Sequence, residues 1–505
     1  MKKNILLLLT IVVFSSCGSS YLDTKPNHST SPETLFETTK NAEKAINGLA
    51  KLMVSQYQSQ GFNGEGTIKM YYGNYPGSHF CVHLPRWSNT LNGNNAINST
   101  SVYTRYPWHY YYMIISNANT IIDRIVDARG LEEERLFIEA QARTFRAYSY
   151  GMLAQIYGNR WQDSNNGSTK GVVMRLEPGL EDKPVGTLAE IYEAVYEDLD
   201  VAIEYFKKSN IKRKSFYEPD INVAYAVYAR MSLNKQDYET AEKYAKLAYA
   251  DFPLMNNANY LAGFADETSE WIWGSYGASD ENIYFYSYQS YIAYNSTAAT
   301  VRNYPKCMSN DLYNKIPETD IRKGLFLDPG DVKYNKATGL ITDKKFLAET
   351  RARFPKLQSN SQVLVYMQFK IACNDYPGVG NLVHLRSSEM MLIEAEANYF
   401  LNKEAKAREL LVQLNRDTGR DPEYDCTYSG QALMDEIKLY RNIELWGEGF
   451  DWFDLKRWGD VRERRSQDKG GIFLETLSVN VKPEDNNRWT YVTPRAETDY
   501  NEDAR

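Results

Sequence analysis

His79, Cys81 and His83 alternate along the chain, so a strand would carry all three side chains to one face. Imidazole and thiolate both bind zinc, but a site needs a tetrahedral set of such ligands. No further ligand pair in the sequence has suitable spacing, and the triplet reads as an ordinary packed strand. The run Asp163-Ser164-Asn165-Asn166-Gly167 resembles a calcium loop. Its glycine falls one position early, however, and Met174 stands where a bidentate acid belongs. Paired carboxylates can hydrolyse glycosides, yet 65 Asp and Glu residues produce such pairs by chance. Neither a phosphate-cradling glycine loop nor a GxSxG nucleophile motif occurs. The expectation is a protein with no catalytic residues, no metal and no cofactor, and not an enzyme.

What the chain has in excess is tyrosine: 40 in 505 residues, within a total aromatic content of 13%. A phenol ring offers an apolar face and a polar tip, which suits surfaces that hold polar ligands with apolar patches. Many aromatics fall in two irregular stretches. The first, 57–112, holds Tyr71, Tyr72, Tyr75, Trp87, Tyr103, Tyr106, Trp108 and Tyr110. In the second, 254–383, Tyr284, Tyr286 and Tyr288 alternate with the period of a short strand. The formal net charge of −7 argues against a nucleic-acid binder, which needs a basic face.

The first residues form a leader. Lys2 and Lys3 precede an apolar run from Ile5 to Phe14, broken by Thr10, and then Ser15, Ser16 and Cys17 follow. A charged start, a brief apolar run and small residues describe a signal peptide, removed as residues 1–16. The run is too short to span a bilayer. A cysteine directly after the small pair resembles a bacterial lipoprotein signal, although Phe14 stands where such signals usually carry Leu. Cys17 would then be the lipidated N-terminus, anchored by several acyl chains, with 17–34 as a linker. Cys81, Cys307, Cys373 and Cys426 are too scattered for a disulfide scaffold or a thiolate metal site, while one or two bridges remain open.

Two blocks must supply the frame, about 35–251 and 385–419, with the loop-rich stretch 254–383 between them and a terminal region 431–505. Phe137, Ala140, Phe145, Ala147, Tyr148, Met152 and Ile156 give one broad helical face that stops at Gly158. Ala140, Ala147 and Ala154 recur every seven positions, which lets a neighbouring helix approach closely. Ile191, Val195, Leu199, Ala202 and Phe206 form a second stripe. Residues 222–250 and 385–418 each read as helix, tight turn, helix, with small residues at the crossing. That is the grammar of tetratricopeptide units, which stack because neither pair can bury its apolar face alone.

At this point the chain resembles a known family, the SusD/RagB nutrient-binding lipoproteins of Bacteroidetes-type bacteria. Cys17 followed by Tyr21-Leu22-Asp23 resembles their lipidated start. Glu139-Ala140-Gln141-Ala142-Arg143 through Gln155-Ile156-Tyr157-Gly158 resembles their long helix. Tyr196-Glu197-Asp198-Leu199-Asp200, Ala224-Tyr225-Ala226 and His384-Leu385-Arg386-Ser387-Ser388-Glu389 follow in the family order. The most specific piece is Arg441-Asn442-Ile443-Glu444-Leu445-Trp446-Gly447-Glu448-Gly449, continuing to Trp458-Gly459. Within it, Asp451, Asp454, Lys456 and Arg457 read as ion pairs or caps at a structural joint.

The resemblance implies a mainly α-helical SusD-like fold over 35–505, with four tetratricopeptide-like helix pairs beside a loop-rich ligand-binding region. It also implies a surface-exposed outer-membrane lipoprotein that acts as a lid for a SusC-like TonB-dependent barrel transporter and captures oligosaccharide or polysaccharide nutrients. Sugar rings present C–H faces that pack on aromatic rings, so the expected ligand-binding residues are Trp87, Tyr106, Trp108, Tyr284, Tyr286 and Tyr288. Peptide ligands for the same lid and a tetratricopeptide interaction scaffold are the alternatives. The leader and Cys17 argue against the scaffold.

Overall fold

Several helices begin where short polar side chains cap them. The structure, a computed structural model, describes residues 32–56, 61–84, 87–278, 286–482 and 490–504. The leader, Cys17 and Tyr284 lie outside those residues. The helices of five residues or more are α1 (Thr39–Leu52), α2 (Val102–Ile125), α3 (Glu132–Tyr157), α4 (Leu188–Ser209), α5 (Ile221–Asn234) and α6 (Tyr238–Ala248). They continue with α7 (Tyr288–Ile292), α8 (Lys344–Arg353), α9 (Ser387–Phe400), α10 (Glu404–Val412), α11 (Gln431–Glu444) and α12 (Asp451–Trp458). Thr187 and Glu190 form a reciprocal capping box on α4, and the Asp220 carboxylate accepts the Asn222 and Val223 amides at 3.0 Å on α5. Among the described residues no helix is long and apolar enough to cross a membrane.

α3 is the central rod and is buried along most of its circumference. It packs against α2 and α4, while α5 and α6 form a hairpin that meets α9, and α9 pairs in turn with α10 and α11. At Gly151 of α3 a Cβ would lie 2.1 Å from the Met231 sulfur of α5, so that pair of helices approaches closely there. The buried apolar side chains form one connected cluster from Phe36 to Ala504, so the loop-rich middle shares its core with the helices.

The strands are short antiparallel pairs: β1 (Phe80–Val82) with β5 (Lys306–Met308), β2 (Lys170–Val173) with β3 (Val185–Thr187), β4 (Trp271–Ser275) with β6 (Leu382–Arg386), and β7 (Arg462–Arg464) with β8 (Val479–Val481). Three expectations need correcting. Residues 286–288 do not form a strand, because the Ser287 hydroxyl accepts the Ser290 amide and starts α7 at Tyr288. Leu385 and Arg386 belong to β6, so the helix expected from Leu385 starts two residues later. The irregular stretch 57–112 ends early, since α2 already runs from Val102 under a Ser101 cap.

Buried charge ties the middle of the chain to its end. Arg386 bonds Glu270 at 2.6 Å, Glu444 at 2.8 Å and Glu448 at 2.8 Å. Arg322 bonds Asp320 at 2.6 Å and Glu444 at 2.9 Å, Lys370 bonds Glu448 at 2.7 Å, and Arg420 lies 3.7 Å from Glu444. Four cations face four carboxylates, and all eight side chains are buried. Burial alone would raise Glu444, yet Arg420, Arg386, Arg322 and Lys370 together hold it well below the usual carboxylate range.

The segment Trp446–Asp451 satisfies the polar groups of residues 69–80. The Asp451 carboxylate accepts the amides of Ser78, His79 and Phe80 at 3.1, 2.7 and 3.1 Å. Trp446 Nε1 donates to the His79 carbonyl, and Asn74 Nδ2 donates to the Gly447 carbonyl. A Cβ at Gly73 would lie 2.1 Å from the Gly449 carbonyl oxygen, a backbone atom that cannot swing aside. Gly73→Ala should therefore cost about 1–3 kcal/mol, as overpacking typically does. Urea unfolding checks it, and an unchanged midpoint would show that the two backbones can part freely.

Candidate functional site

The aromatic excess converges on Tyr71. Residues Ile68–Asn74 form a wide π-helical turn, an arrangement often found at functional positions. Tyr75 stacks on the Tyr71 ring at 5.5 Å, and Trp87 meets it edge-on at 5.5 Å. Tyr291 of α7 meets it at 5.7 Å, with the two hydroxyls hydrogen-bonded at 2.9 Å. Phe62 and Tyr103 complete the ring of neighbours at 6.0 Å each, and Tyr286 touches Tyr291 at 6.4 Å. Tyr71 is buried, whereas Trp87, Tyr103 and Tyr286 at the rim are half-buried. Burial pushes the Tyr71 hydroxyl well above its ordinary range, and its Tyr291 neighbour adds to the shift. The Tyr291 hydroxyl is pushed up to about 12, first by burial. These two hydroxyls stay neutral, so the cluster offers ring faces and phenol hydroxyls.

α2 supplies Tyr103 from a distorted first part. Pro107 lacks an N–H, so the Tyr103 carbonyl loses its helical donor, and the Tyr72 hydroxyl donates to it at 2.6 Å. One residue on, the Tyr157 hydroxyl accepts the Trp108 amide at 2.9 Å and donates to the Thr104 carbonyl at 2.6 Å. The proline break is thus repaired by tyrosine hydroxyls from other elements. Beneath lies Glu65, which accepts the Tyr111 and Tyr148 hydroxyls at 2.9 Å and the Tyr110 hydroxyl at 3.3 Å. Burial raises its carboxyl above the usual range, against the lowering pull of Lys69 and the three phenols.

The expected ligand-binding residues separate into three groups. Trp87 and Tyr286 stand at the rim of the cluster. Tyr106, Trp108 and Tyr288 do not present open faces. Tyr106 is fully buried between Phe62 and Tyr110, stacked on them at 4.4 and 5.8 Å. Trp108 packs edge-on against Tyr157 at 5.0 Å and donates from Nε1 to Glu497 at 3.1 Å. Tyr288 is buried with its hydroxyl on the Gly447 carbonyl. Tyr284 lies outside the described residues. Tyr291 and Phe62, which no sequence argument picked out as ligand residues, stand against Tyr71 because α7 and the chain before the π-helical turn carry them there.

The other sequence candidates have protein partners. His79 Nδ1 bonds the Ser309 hydroxyl at 3.1 Å, and His83 Nε2 bonds the Ile472 carbonyl at 2.8 Å. Cys81 is buried opposite Cys307 in the β1–β5 register. Asp163 pairs with Arg160. In the terminal region, Asp454 binds Arg441 at 2.6 Å and Arg457 at 3.0 Å, and Arg457 also holds Glu396. Lys456 donates to the Gln155 and Gly158 carbonyls, each at 2.7 Å.

Comparison with known proteins accounts for nearly the whole of the described chain. A family model described as "Starch-binding associating with outer membrane" matches residues 20–233, and one described as the SusD family matches residues 230–503. A SusD-like protein of Formosa agariphila is 21% identical over 491 residues, covering 90% of each chain. The crystal structure of a SusD-like carbohydrate binding protein from Bacteroides vulgatus superposes with a TM-score of 0.78 at 22% identity, over 93% of this chain and 98% of that one. A SusD superfamily protein from Bacteroides thetaiotaomicron gives a TM-score of 0.74 at 22% identity, over 93% and 99%. The chain has the mainly helical SusD-type fold, the scaffold of a binding protein rather than an enzyme. It belongs to the SusD/RagB family.

Proposed function

We propose that this protein captures oligosaccharides or polysaccharides at the cell surface, held there by lipid on Cys17, and acts as a lid passing them to a SusC-like TonB-dependent barrel. The carrying observation is the cluster around Tyr71, whose rim residues Trp87, Tyr103 and Tyr286 offer half-open ring faces beside neutral hydroxyls. Sugar C–H faces pack on such rings, and sugar hydroxyls pair with phenols. The solved relative described as a carbohydrate binding protein supports the same ligand class.

The test uses the chain without residues 1–17 on native gels containing a panel of polysaccharides. Retardation by at least one polymer is expected. Trp87→Ala combined with Tyr286→Ala should weaken that retardation at least tenfold, equivalent to about 1.4 kcal/mol. Trp108→Ala should lower stability and leave affinity within a factor of about two, because its ring is committed to the core. No retardation by any polymer would move the ligand class to peptides. Equal retardation of all variants would remove the cluster from the binding site.

A further inference from the structure

A second cleft lies well away in sequence from Tyr71, on the α5–α6 hairpin where it meets α9, α11 and α12. Its volume is about 410 Å3, inside the range of ligand clefts, about 300–1,000 Å3. By contrast, the buried cavity beside Lys69 and Arg230 holds only about 30 Å3. On one side of the cleft, Tyr238 and Phe400 stack nearly parallel at 4.2 Å, with Tyr399 edge-on to Phe400 at 5.2 Å. Phe400 keeps 41% of its surface exposed, an apolar ring left in water although it lines a concave wall.

The polar lining narrows the ligand class. Each charged side chain facing the cleft already has an opposite charge inside the protein. Glu396 is held by Arg457 and by Trp458 Nε1 at 3.1 Å, and Lys438 is held by Asp460 at 2.8 Å. The side-chain amides of Gln162 and Gln236 also line it, and neither has a protein partner among the described residues. Gln236 sits at φ +60° as the left-handed residue that closes α5: its amide donates to the Leu233 carbonyl and the Asp237 amide to the Ser232 carbonyl, a position glycine fills at less cost. A charged ligand would find no free counter-charge here. A neutral ring with one apolar face and a border of hydroxyls would find an aromatic platform and two amides.

We propose that this cleft is a second carbohydrate site, taking one or two neutral pyranose units of the same glycan class as the Tyr71 cluster. It rests on the carbohydrate reading above. The residues of the two sites do not overlap, so each can be removed alone.

The experiment measures binding by calorimetry with the full chain in detergent, using maltotriose, cellotriose, mannotriose and xylotriose as probes. The variants are Gln236→Gly with Gln162→Ala, Phe400→Ser, and Trp87→Ala with Tyr286→Ala. The glycine variant relieves the φ strain, so it keeps the fold while removing one amide. Expected are two equivalents of at least one trisaccharide per native chain. One equivalent should be lost in each of the first two variants, and the other in the Trp87/Tyr286 variant. A single equivalent that survives Gln236→Gly/Gln162→Ala and Phe400→Ser but not Trp87→Ala/Tyr286→Ala overturns the second site and leaves the first standing. Absence of binding by every native sample, with polysaccharides also failing on gels, overturns the carbohydrate reading itself.

Discussion

Glu444→Gln should lower the unfolding free energy by about 3–5 kcal/mol, the cost of breaking a buried ion pair by removing one partner. The glutamine keeps the shape but removes one of four carboxylates that balance Arg322, Lys370, Arg386 and Arg420. Nothing in that dry setting can replace it, because all eight side chains are buried. Glu349→Gln is the control, since its contact with Lys345 is 3.9 Å long and both groups are open to water. It should cost no more than about 1 kcal/mol. Arg420 makes only long carboxylate contacts, at 3.6 and 3.7 Å, and its Nε and Nη2 atoms lack hydrogen-bond partners. Glu444→Gln with Arg420→Gln restores neutrality and should recover part of the loss. Denaturant unfolding of the four proteins decides the matter. A single-variant loss matching the control would mean that the network relaxes or takes in water.

Stability should rise with pH between about 7 and 9 and then fall again above about 10. Burial drives Lys456 and Lys306 down to about 7, from a usual 10.5. It takes Lys69 to about 8, with Arg230 adding to the drop and Glu65, Glu448 and Glu389 opposing it. Between those values and 10.5 the unfolded chain binds more protons than the folded one, so raising the pH favours folding. Each fully differing lysine contributes about 1.4 kcal/mol per pH unit. Buried tyrosines reverse the trend. Burial holds Tyr72, Tyr110, Tyr111 and Tyr157 well above 10, so the unfolded chain loses phenol protons first in alkali. At the acid end, Glu444 and Glu448 lie below their usual 4.5, so their contribution is present above that value and lost as pH falls beneath it. Unfolding midpoints from pH 4 to 11 give the profile, and Lys456→Met should flatten its rise. A curve that is level from pH 7 to 9 would show that these ammonium groups reach water in the folded state.

The parts of the architecture legible in the sequence were those written in helical period. α3 and α4 kept their apolar stripes, and the turns at Lys235-Gln236 and Asn402-Lys403 fell between helices as the polar residues there required. α8 escaped notice because Lys344–Arg353 is strongly polar and buries only Thr350, leaving no stripe to read. The start of α2 is hidden in the sequence, because Pro107 inside it is normally a stop signal. Its repair depends on Tyr72 and Tyr157, which no local window contains. The tyrosine alternation before α7 imitated a strand, while the deciding feature was a single serine cap. For the candidate site, composition announced an aromatic ligand surface but could not divide open rings from core rings. Tyr106 and Trp87 differ in what packs over them, and that is a property of the assembled chain.

The joint between residues 69–80 and Trp446–Asp451 sets the order in which this protein can become itself. Its hydrogen bonds connect groups 367 to 379 positions apart. As the polypeptide is synthesised, the early tyrosine-rich segment emerges long before its partner exists. The amides of Ser78, His79 and Phe80 stay in water until Asp451 arrives. Contacts so remote in sequence also slow the search for the native state. An unfinished chain therefore has no route to a locked structure, and a chain clipped before Trp446 would lack the piece that closes it. Closure is thus the last act of the chain, carried by the residues from Trp446 onward.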